Sequence, residues 1–322
     1  MKRALSICVA ALIATSLVVA QTLHKTKQRR QTTSIEQEDD ETISFDTALV
    51  NTRVSVRDGQ GRFVSGLTKS DFIVVDDGKE QPIIYFSQES DEPLRVALVV
   101  DRSRSVQGVL GRARTVVRDF IHSILRPGKD SACLVAFDSG VYLVQDFTED
   151  ADTLAAAVNK LTAAGGTSIF DAVYKTARDK LAGTEEARRV LLLISDGDDT
   201  TSRASIEQAI EVTVRNNVVV YAIRLPGENS LNGRDQQGKP VLARLTETTG
   251  GAQFQLSDAR DGEEKQLAGF FNKLEDELRS QYSIGYQFQA VSSGSSFHKI
   301  TVKLKQPALK AFTRSGYYSG SQ

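Results

Sequence analysis

The chain has 322 residues, 40% of them hydrophobic and 25% charged, which is typical of a globular protein with one or two domains. The 40 Lys and Arg residues nearly balance the 41 Asp and Glu residues, so the formal net charge is -1 at pH 7. Domains that bind nucleic acids usually carry a basic face. The charge balance therefore predicts no nucleic-acid partner.

The first 20 residues have the layout of a secretory signal peptide. Lys2 and Arg3 precede an uncharged stretch, 4–20, in which Val18 and Ala20 occupy small-residue cleavage positions. We interpret residues 1–20 as a signal peptide, which predicts a secreted, periplasmic or cell-envelope protein. The alternative is that the stretch is kept as an uncleaved N-terminal anchor, and this is the one membrane association that we expect.

Residues 21–43 contain little that a folded core could bury. A basic half, with "KTKQRR", is followed by an acidic half, with "EQEDDE". Such a composition is typical of a disordered segment. We predict a flexible tether between the signal peptide and the folded part.

Short strands are predicted at both ends of the folded part. Residues 44–92 alternate apolar and polar side chains, and "DFIVVDDGKEQPIIYF" indicates two strands around an Asp-Asp-Gly turn. Residues 283–322 contain three further strand patterns. Neither segment is long enough to make a good sheet alone. We therefore expect the N- and C-terminal segments to pack together as one accessory β-sheet.

Residues 93–282 alternate strands and helices. Continuous apolar runs at 95–100, 132–137, 190–195 and 218–223 are typical of parallel strands covered by helices on both faces. "VYLVQDF" follows "AFDSG" so closely that it indicates a hairpin. The prediction is an α/β domain, doubly wound and Rossmann-like, with a mostly parallel sheet and one antiparallel edge strand.

Oxygen-bearing side chains follow two of these strands and open one helix. Asp101, Ser103 and Ser105 follow the first strand in "DRSRS", Asp196 follows the strand 190–195, and Thr167 comes after two glycines. In an open α/β sheet, ligands bind outside the carboxyl ends of the strands. An all-oxygen set suits a hard cation such as Mg²⁺, with Mn²⁺ or Ca²⁺ as alternatives. Taken singly, each piece is also typical of a helix cap or a turn.

In combination, "DRSRS", "GGTS" and "SDGDD" resemble the metal-ion-dependent adhesion site (MIDAS) of von Willebrand factor type A (VWFA) domains. The resemblance implies that Asp101, Ser103, Ser105, Thr167 and Asp196 are the metal-site residues. It implies hydroxyl groups as direct ligands and carboxylates that act partly through water. A coordination position would remain open for an acidic side chain of a protein partner.

The flanking segments resemble a secreted bacterial subfamily of VWFA-related proteins, first described in acidobacteria. That subfamily has no well-defined activity, so this resemblance implies none for the chain. The predicted function is a secreted, non-enzymatic, metal-dependent protein-binding or adhesion module, without catalytic residues.

Two alternatives stay open. A strand that ends in Asp101 and the later "DGDD" are similar to Mg²⁺-dependent phosphoryl-transfer hydrolases, although Ser103 stands where a second carboxylate is common. The other alternative is a structural envelope module whose metal site is vestigial. Residues 225–240 form a long loop after the strand 218–223, and could belong to a partner surface or be an insertion.

Overall fold

The computed structural model describes residues 46–89, 92–183, 187–226, 238–256, 263–290 and 296–319. The predicted signal peptide and tether lie outside the described residues, as does most of the loop 225–240. None of the helices in the described part combines the length and the apolar character needed to cross a membrane.

Strands and helices alternate through the middle of the chain, and strands dominate at both ends. In chain order the described elements are β1 (Asp46–Arg57), β2 (Phe72–Asp76), β3 (Lys79–Gln81), β4 (Ile83–Glu89), β5 (Leu94–Asp101), α1 (Leu110–Ile124), β6 (Ser131–Phe137), β7 (Val141–Thr148), α2 (Ala151–Asn159), α3 (Ile169–Thr176), β8 (Arg188–Ser195), α4 (Ile206–Arg215), β9 (Val219–Arg224), α5 (Gly238–Thr249), β10 (Gln253–Gln255), α6 (Glu263–Arg279), β11 (Gln281–Ala290), β12 (Phe297–Leu304), β13 (Lys310–Phe312) and β14 (Gly316–Tyr318).

The central sheet has the strand order β10-β9-β8-β5-β6-β7. Every neighbouring pair is parallel except β6 with β7, which is antiparallel. This confirms the predicted α/β class with one antiparallel edge strand. β5 lies in the interior of the sheet, and its side chains are apolar on both faces because helices cover both faces.

Alternate residues of β5 contribute to two hydrophobic clusters, one on each face of the sheet. Val96 and Leu98 face the cluster that contains α1, α2 and α6, and Ala97 and Val99 face the cluster that contains α3, α4 and α5. The second cluster continues into the strands that flank the α/β domain, where it includes Tyr282. Burial on both faces therefore fixes β5 in its position.

The flanking segments form two four-stranded sheets, where the sequence predicted one. Their strand orders are β13-β1-β11-β4 and β14-β12-β2-β3. β1 pairs with β11 over the register Asp46↔Ala290 to Val54↔Tyr282, so N- and C-terminal segments do share a sheet. Phe72 of the second sheet packs on Tyr282 of the first, with ring centroids 5.1 Å apart. Two sheets form because each then buries one apolar face against the other. The boundaries of the predicted segments, at 92/93 and 282/283, stay a prediction.

Asp130 holds together the end of the sheet at which β5 and β6 begin. Its fully buried carboxylate accepts hydrogen bonds from the Leu94 amide (2.8 Å), from the Arg126 amide and guanidinium (2.9 Å) and from the Arg279 guanidinium (3.1 Å). Burial alone would raise its pKa, but these donors together lower the pKa below the usual aspartate value. The carboxylate thus joins β5, the end of α1 and the end of α6.

We expect Asp130→Ala to lower the free energy of unfolding by about 3–5 kcal/mol, because two guanidinium groups lose their buried partner. Urea denaturation at pH 7 measures this change. Asp119→Ala, at an exposed position of α1, is the matched control and should stay within about 0.5 kcal/mol of the unmodified protein. A loss below about 1 kcal/mol for Asp130→Ala would show that the network contributes little.

Candidate metal centre

Two buried carboxylates lie at the carboxyl edge of the central sheet. β5 and β8 are parallel neighbours, with Val100 opposite Ile194, so both strands end at the same edge. Asp101 is the last residue of β5 and Asp196 follows the last residue of β8. Both aspartates are almost completely buried. Parallel pairing therefore brings two negative groups to one place.

Hydrogen bonds tie three loops together at this edge. The Ala164 amide donates to the Arg102 carbonyl (2.8 Å), which joins the loop before α3 to the loop after β5. The amides of Thr200 and Thr201 donate to the Thr167 carbonyl (2.8 and 2.9 Å), which joins the loop before α3 to the loop after β8. Thr167 is thereby held between the two strand ends that carry the aspartates.

The hydroxyl groups of Ser103 and Ser105 lie side by side, with their Oγ atoms 2.9 Å apart. Oxygen ligands at about 2.0–2.1 Å from Mg²⁺ in octahedral geometry are separated by about 2.9 Å along each edge. The two serines can therefore occupy adjacent coordination positions without moving apart. Thr167 is also buried and supplies a third hydroxyl group.

The environment of Asp101 favours a cation. Its Oδ1 accepts from the Ser103 amide (2.8 Å) and its Oδ2 accepts from Ser195 Oγ (2.6 Å). Burial, and then the negative charge of Asp196, raise the pKa of Asp101 to about 7 in spite of these bonds. A bound divalent cation would counter both effects. The donor set of two carboxylates and three hydroxyls thus fits a hard cation.

The loop after β8 approaches the start of α5 so closely that both sides need glycine. Gly197, directly after Asp196, has φ +93°, a conformation that side chains disfavour. A Cβ atom on Gly197 would overlap the Gly238 backbone, and one on Gly238 would overlap the Asp196 carbonyl. These contacts hold the Asp196 backbone in place from the side of α5.

Asp138 also lies at this edge of the sheet, and its contact there was not predicted from the sequence. It follows β6, is buried, and accepts a hydrogen bond from the Arg102 guanidinium (2.6 Å). That guanidinium also lies over the Tyr142 ring, 4.8 Å from the ring centroid. The rule that ligands bind at carboxyl ends of strands could have singled out Asp138, because β6 pairs with β5 in parallel. Its carboxylate neutralises a positive charge next to Asp101.

Two further aspartates of this region have structural contacts. Asp171, in the first turn of α3, accepts from the amides of Arg203 (3.1 Å) and Ala204 (2.8 Å). Asp199 accepts from the Phe170 amide of α3 (3.4 Å) and from Ser202 Oγ (2.6 Å). Both carboxylates hold the loop after β8 against α3, and neither is needed as a ligand to explain its position.

A second group of possible metal ligands lies in the accessory sheets. Asp76 and Asp77 at the β2–β3 turn and His298 on β12 place one ligand atom each within 4.8 Å of the others. Asp77 Oδ2 is 2.8 Å from His298 Nδ1, and Asp76 accepts from the hydroxyl groups of Tyr286 and Tyr317 (2.9 Å each). The sequence predicted only a turn here, because 221 residues separate Asp77 from His298. This group is separate from the five predicted site residues.

Comparison with known proteins identifies the type of domain that contains this candidate metal centre. Residues 96–198 match the family model of the von Willebrand factor type A domain. The chain contains a von Willebrand factor type A domain. The matched segment runs from β5 to the loop after β8, so it includes all five predicted site residues. A sequence comparison with curated proteins gives no significant match.

Several solved structures are similar to this chain at low sequence identity. BatB from Bacteroides thetaiotaomicron is 13% identical, with a TM-score of 0.46, over 58% of this chain and 100% of that one. A von Willebrand factor type A protein from Catenulispora acidiphila is 12% identical, with a TM-score of 0.47, over 87% and 74%. Proximal thread matrix protein 1 from the mussel byssus, with a zinc-occupied MIDAS motif, is 17% identical, with a TM-score of 0.47, over 64% and 50%.

In EDTA, ionisation of Asp101 should lower the free energy of unfolding of the protein as the pH rises from about 4 to about 7. The raised pKa means that the folded state keeps a proton on Asp101 that the unfolded chain, with a pKa near 3.8, releases. An asparagine side chain cannot ionise, so the Asp101→Asn variant lacks this loss. Its free energy of unfolding should therefore rise relative to that of the unmodified protein as the pH increases. Denaturant titrations at pH 4.5, 6 and 7.5 measure this difference.

Asp276→Asn is the matched control, because Asp276 is exposed on α6. Its stability relative to the unmodified protein should stay nearly constant over the same range. A constant difference for Asp101→Asn as well would contradict a raised pKa at Asp101.

Proposed function

We propose that this VWFA protein is a metal-dependent protein-binding or adhesion module. Its site binds a divalent cation, Mg²⁺ first and Mn²⁺ or Ca²⁺ as alternatives, through Asp101, Ser103, Ser105, Thr167 and Asp196. The observation that supports this most is the burial of Asp101 beside Asp196, which raises the pKa of a carboxyl group surrounded by hydroxyl donors. Such an arrangement is costly without a cation and favourable with one.

Each group has a separate task in this proposal. The two carboxylates supply the negative charge that attracts the cation. The hydroxyls of Ser103, Ser105 and Thr167 supply neutral oxygen donors, which offset less of the charge of the ion than further carboxylates would. When bound, the ion supplies electrostatic attraction for an anionic ligand. We propose an acidic side chain of a protein partner as that ligand, and no nucleic acid.

A binding role agrees better with the surroundings of the site than hydrolysis does. Domains of the VWFA family are generally non-enzymatic interaction modules. Among the described histidines, His122 lies on α1 and His298 lies on β12, so neither is at the carboxyl edge of the central sheet. Ser103 occupies the position at which phosphoryl-transfer sites commonly carry a second carboxylate. We therefore propose a protein that binds and does not turn over a substrate.

The proposed location is the periplasm, the cell envelope or the extracellular space. This part of the proposal rests on the sequence pattern of residues 1–20, followed by the tether 21–43. We propose that the VWFA domain and the accessory sheets are presented together after export, with membrane attachment only if the N-terminal segment is kept as an anchor. Membership of the secreted VWFA-related subfamily belongs to the same proposal.

Mg²⁺ at ten times its dissociation constant should raise the thermal midpoint by about 3–6 °C, because the ion binds the folded state only. Asp101→Ala should abolish this rise and the heat of Mg²⁺ binding in titration calorimetry. Asp152→Ala should keep both, since Asp152 is exposed on α2. The metal proposal fails if neither Mg²⁺ nor Mn²⁺ binds the unmodified protein in calorimetry.

Partner binding is tested by capture from the native envelope with immobilised protein. We expect capture in Mg²⁺, loss in EDTA, and loss in Thr167→Val, which keeps the shape of the side chain but removes its hydroxyl group. The Thr153→Val variant is the matched control, because Thr153 lies exposed on α2. Capture that persists in EDTA would favour a structural module with a vestigial metal site. Mg²⁺-dependent phosphatase turnover, lost in Asp101→Asn, would favour the hydrolase.

A further inference from the structure

A cavity of about 360 Å³ lies between the α/β domain and the first accessory sheet. Its lining includes Arg189 near the start of β8, Val219 at the start of β9, Thr249 at the end of α5 and Arg53 on β1. Asp196 follows the opposite end of β8, seven residues from Arg189, which corresponds to about 23 Å along a strand. The cavity is therefore at the edge of the sheet opposite the candidate metal centre.

The lining of this cavity is strongly positive. Three arginines, Arg53, Arg189 and Arg314, contribute to it, and no carboxylate is among the described lining residues. Arg53 donates to Glu92 (2.7 Å), but Glu92 also pairs with Arg188 (3.3 Å), so one carboxylate is shared between two guanidinium groups. Positive charge thus exceeds negative charge around the cavity.

Some guanidinium donors at the cavity lack an acceptor. Arg314 donates to Asn217 Oδ1 (2.6 Å) and to the Asn51 carbonyl (2.7 Å), and both acceptors are neutral. The Nε atoms of Arg53 and Arg314 are buried and have no hydrogen-bond partner among the described atoms. A buried donor without an acceptor is unfavourable, most of all on a charged group.

The arginines also repel one another. Burial, and in addition the charge of Arg53, lower the pKa of Arg314 to about 10. The same two causes lower the pKa of Arg188 to about 10. An anion in the cavity would reduce the repulsion and would accept from the unused Nε groups.

We propose that this cavity binds a small anion that carries two or more negative charges on carboxylate or phosphate oxygens. The planar guanidinium fork matches both oxyanions, and several forks around one space favour more than one negative group on the same ligand. The volume falls within the range of small-molecule sites. Asn217, Thr249 and Gln281 add neutral polar side chains to the lining. The cavity is independent of the candidate metal centre.

The test is titration calorimetry of the full chain in EDTA with inorganic phosphate and, separately, with citrate. Sodium chloride keeps the ionic strength constant. We expect saturable binding of at least one anion. Arg53→Gln and Arg314→Gln should each raise its dissociation constant at least about tenfold, because each removes a charged donor. Arg314→Lys should bind more weakly than the unmodified protein and more tightly than Arg314→Gln.

Arg62→Gln is the matched control, because the Arg62 side chain is 73% exposed and lies outside the cavity lining. It should bind the anion like the unmodified protein. Tighter binding of phosphate assigns a phosphoryl ligand, and tighter binding of citrate assigns a carboxylate ligand. Circular dichroism checks the fold of each variant, and Arg53→Gln decides the matter if Arg314→Gln does not fold.

Two results would overturn the proposal. One is the absence of saturable binding of both anions to the unmodified protein. The other is equal binding by the unmodified protein, Arg53→Gln and Arg314→Gln. Phosphate and citrate also stabilise proteins by exclusion from their surface, so a rise of the thermal midpoint that is equal in all variants counts against the site.

Discussion

The parallel pairing of β5 with β8 is the constraint on which the rest of this structure depends. Parallel strands of similar length end at the same edge, so each polar residue that follows one strand meets the polar residues that follow its neighbour. Here this places Asp101 next to Asp196 in a buried environment. The raised pKa of Asp101 is the direct result, and the hydrogen-bonded loops around Thr167 follow from the same alignment.

The opposite edges of the central sheet carry unbalanced charge of opposite sign. The carboxyl edge contains the aspartates of the candidate metal centre. Arg102 at this edge does not balance their charge, because Asp138 already neutralises it. The other edge gathers Arg53, Arg189 and Arg314 around one cavity. A folded protein tolerates such charges when its apolar core is extensive, and here two hydrophobic clusters cover both faces of the sheet. The two edges thus present side chains of opposite charge, carboxylates at one and guanidinium groups at the other.

The accessory sheets are part of this arrangement. β1 and β11 come from opposite ends of the chain and pair directly, and Glu277 at the end of α6 accepts from Ser55 (3.1 Å) and Arg57 (2.6 Å) of β1. These buried contacts join the first accessory sheet to the α/β domain. The arginine cavity exists only because of this junction, since β1 supplies Arg53 and the segment before β14 supplies Arg314.

The sequence by itself determined the α/β class and the antiparallel edge strand, because short local patterns of residues specify both. It also singled out five oxygen-bearing positions, whose role as metal ligands stays a prediction. Apolar runs, turn residues and the spacing of "DRSRS" can all be read within a short window. Tertiary structure alone decided that the flanks make two sheets, that Asp138 pairs with Arg102, and that Asp76 and Asp77 meet His298. It also decided that three arginines surround one cavity. These features join residues that lie from 36 to more than 250 positions apart, and only the packing of whole sheets and helices brings such residues together.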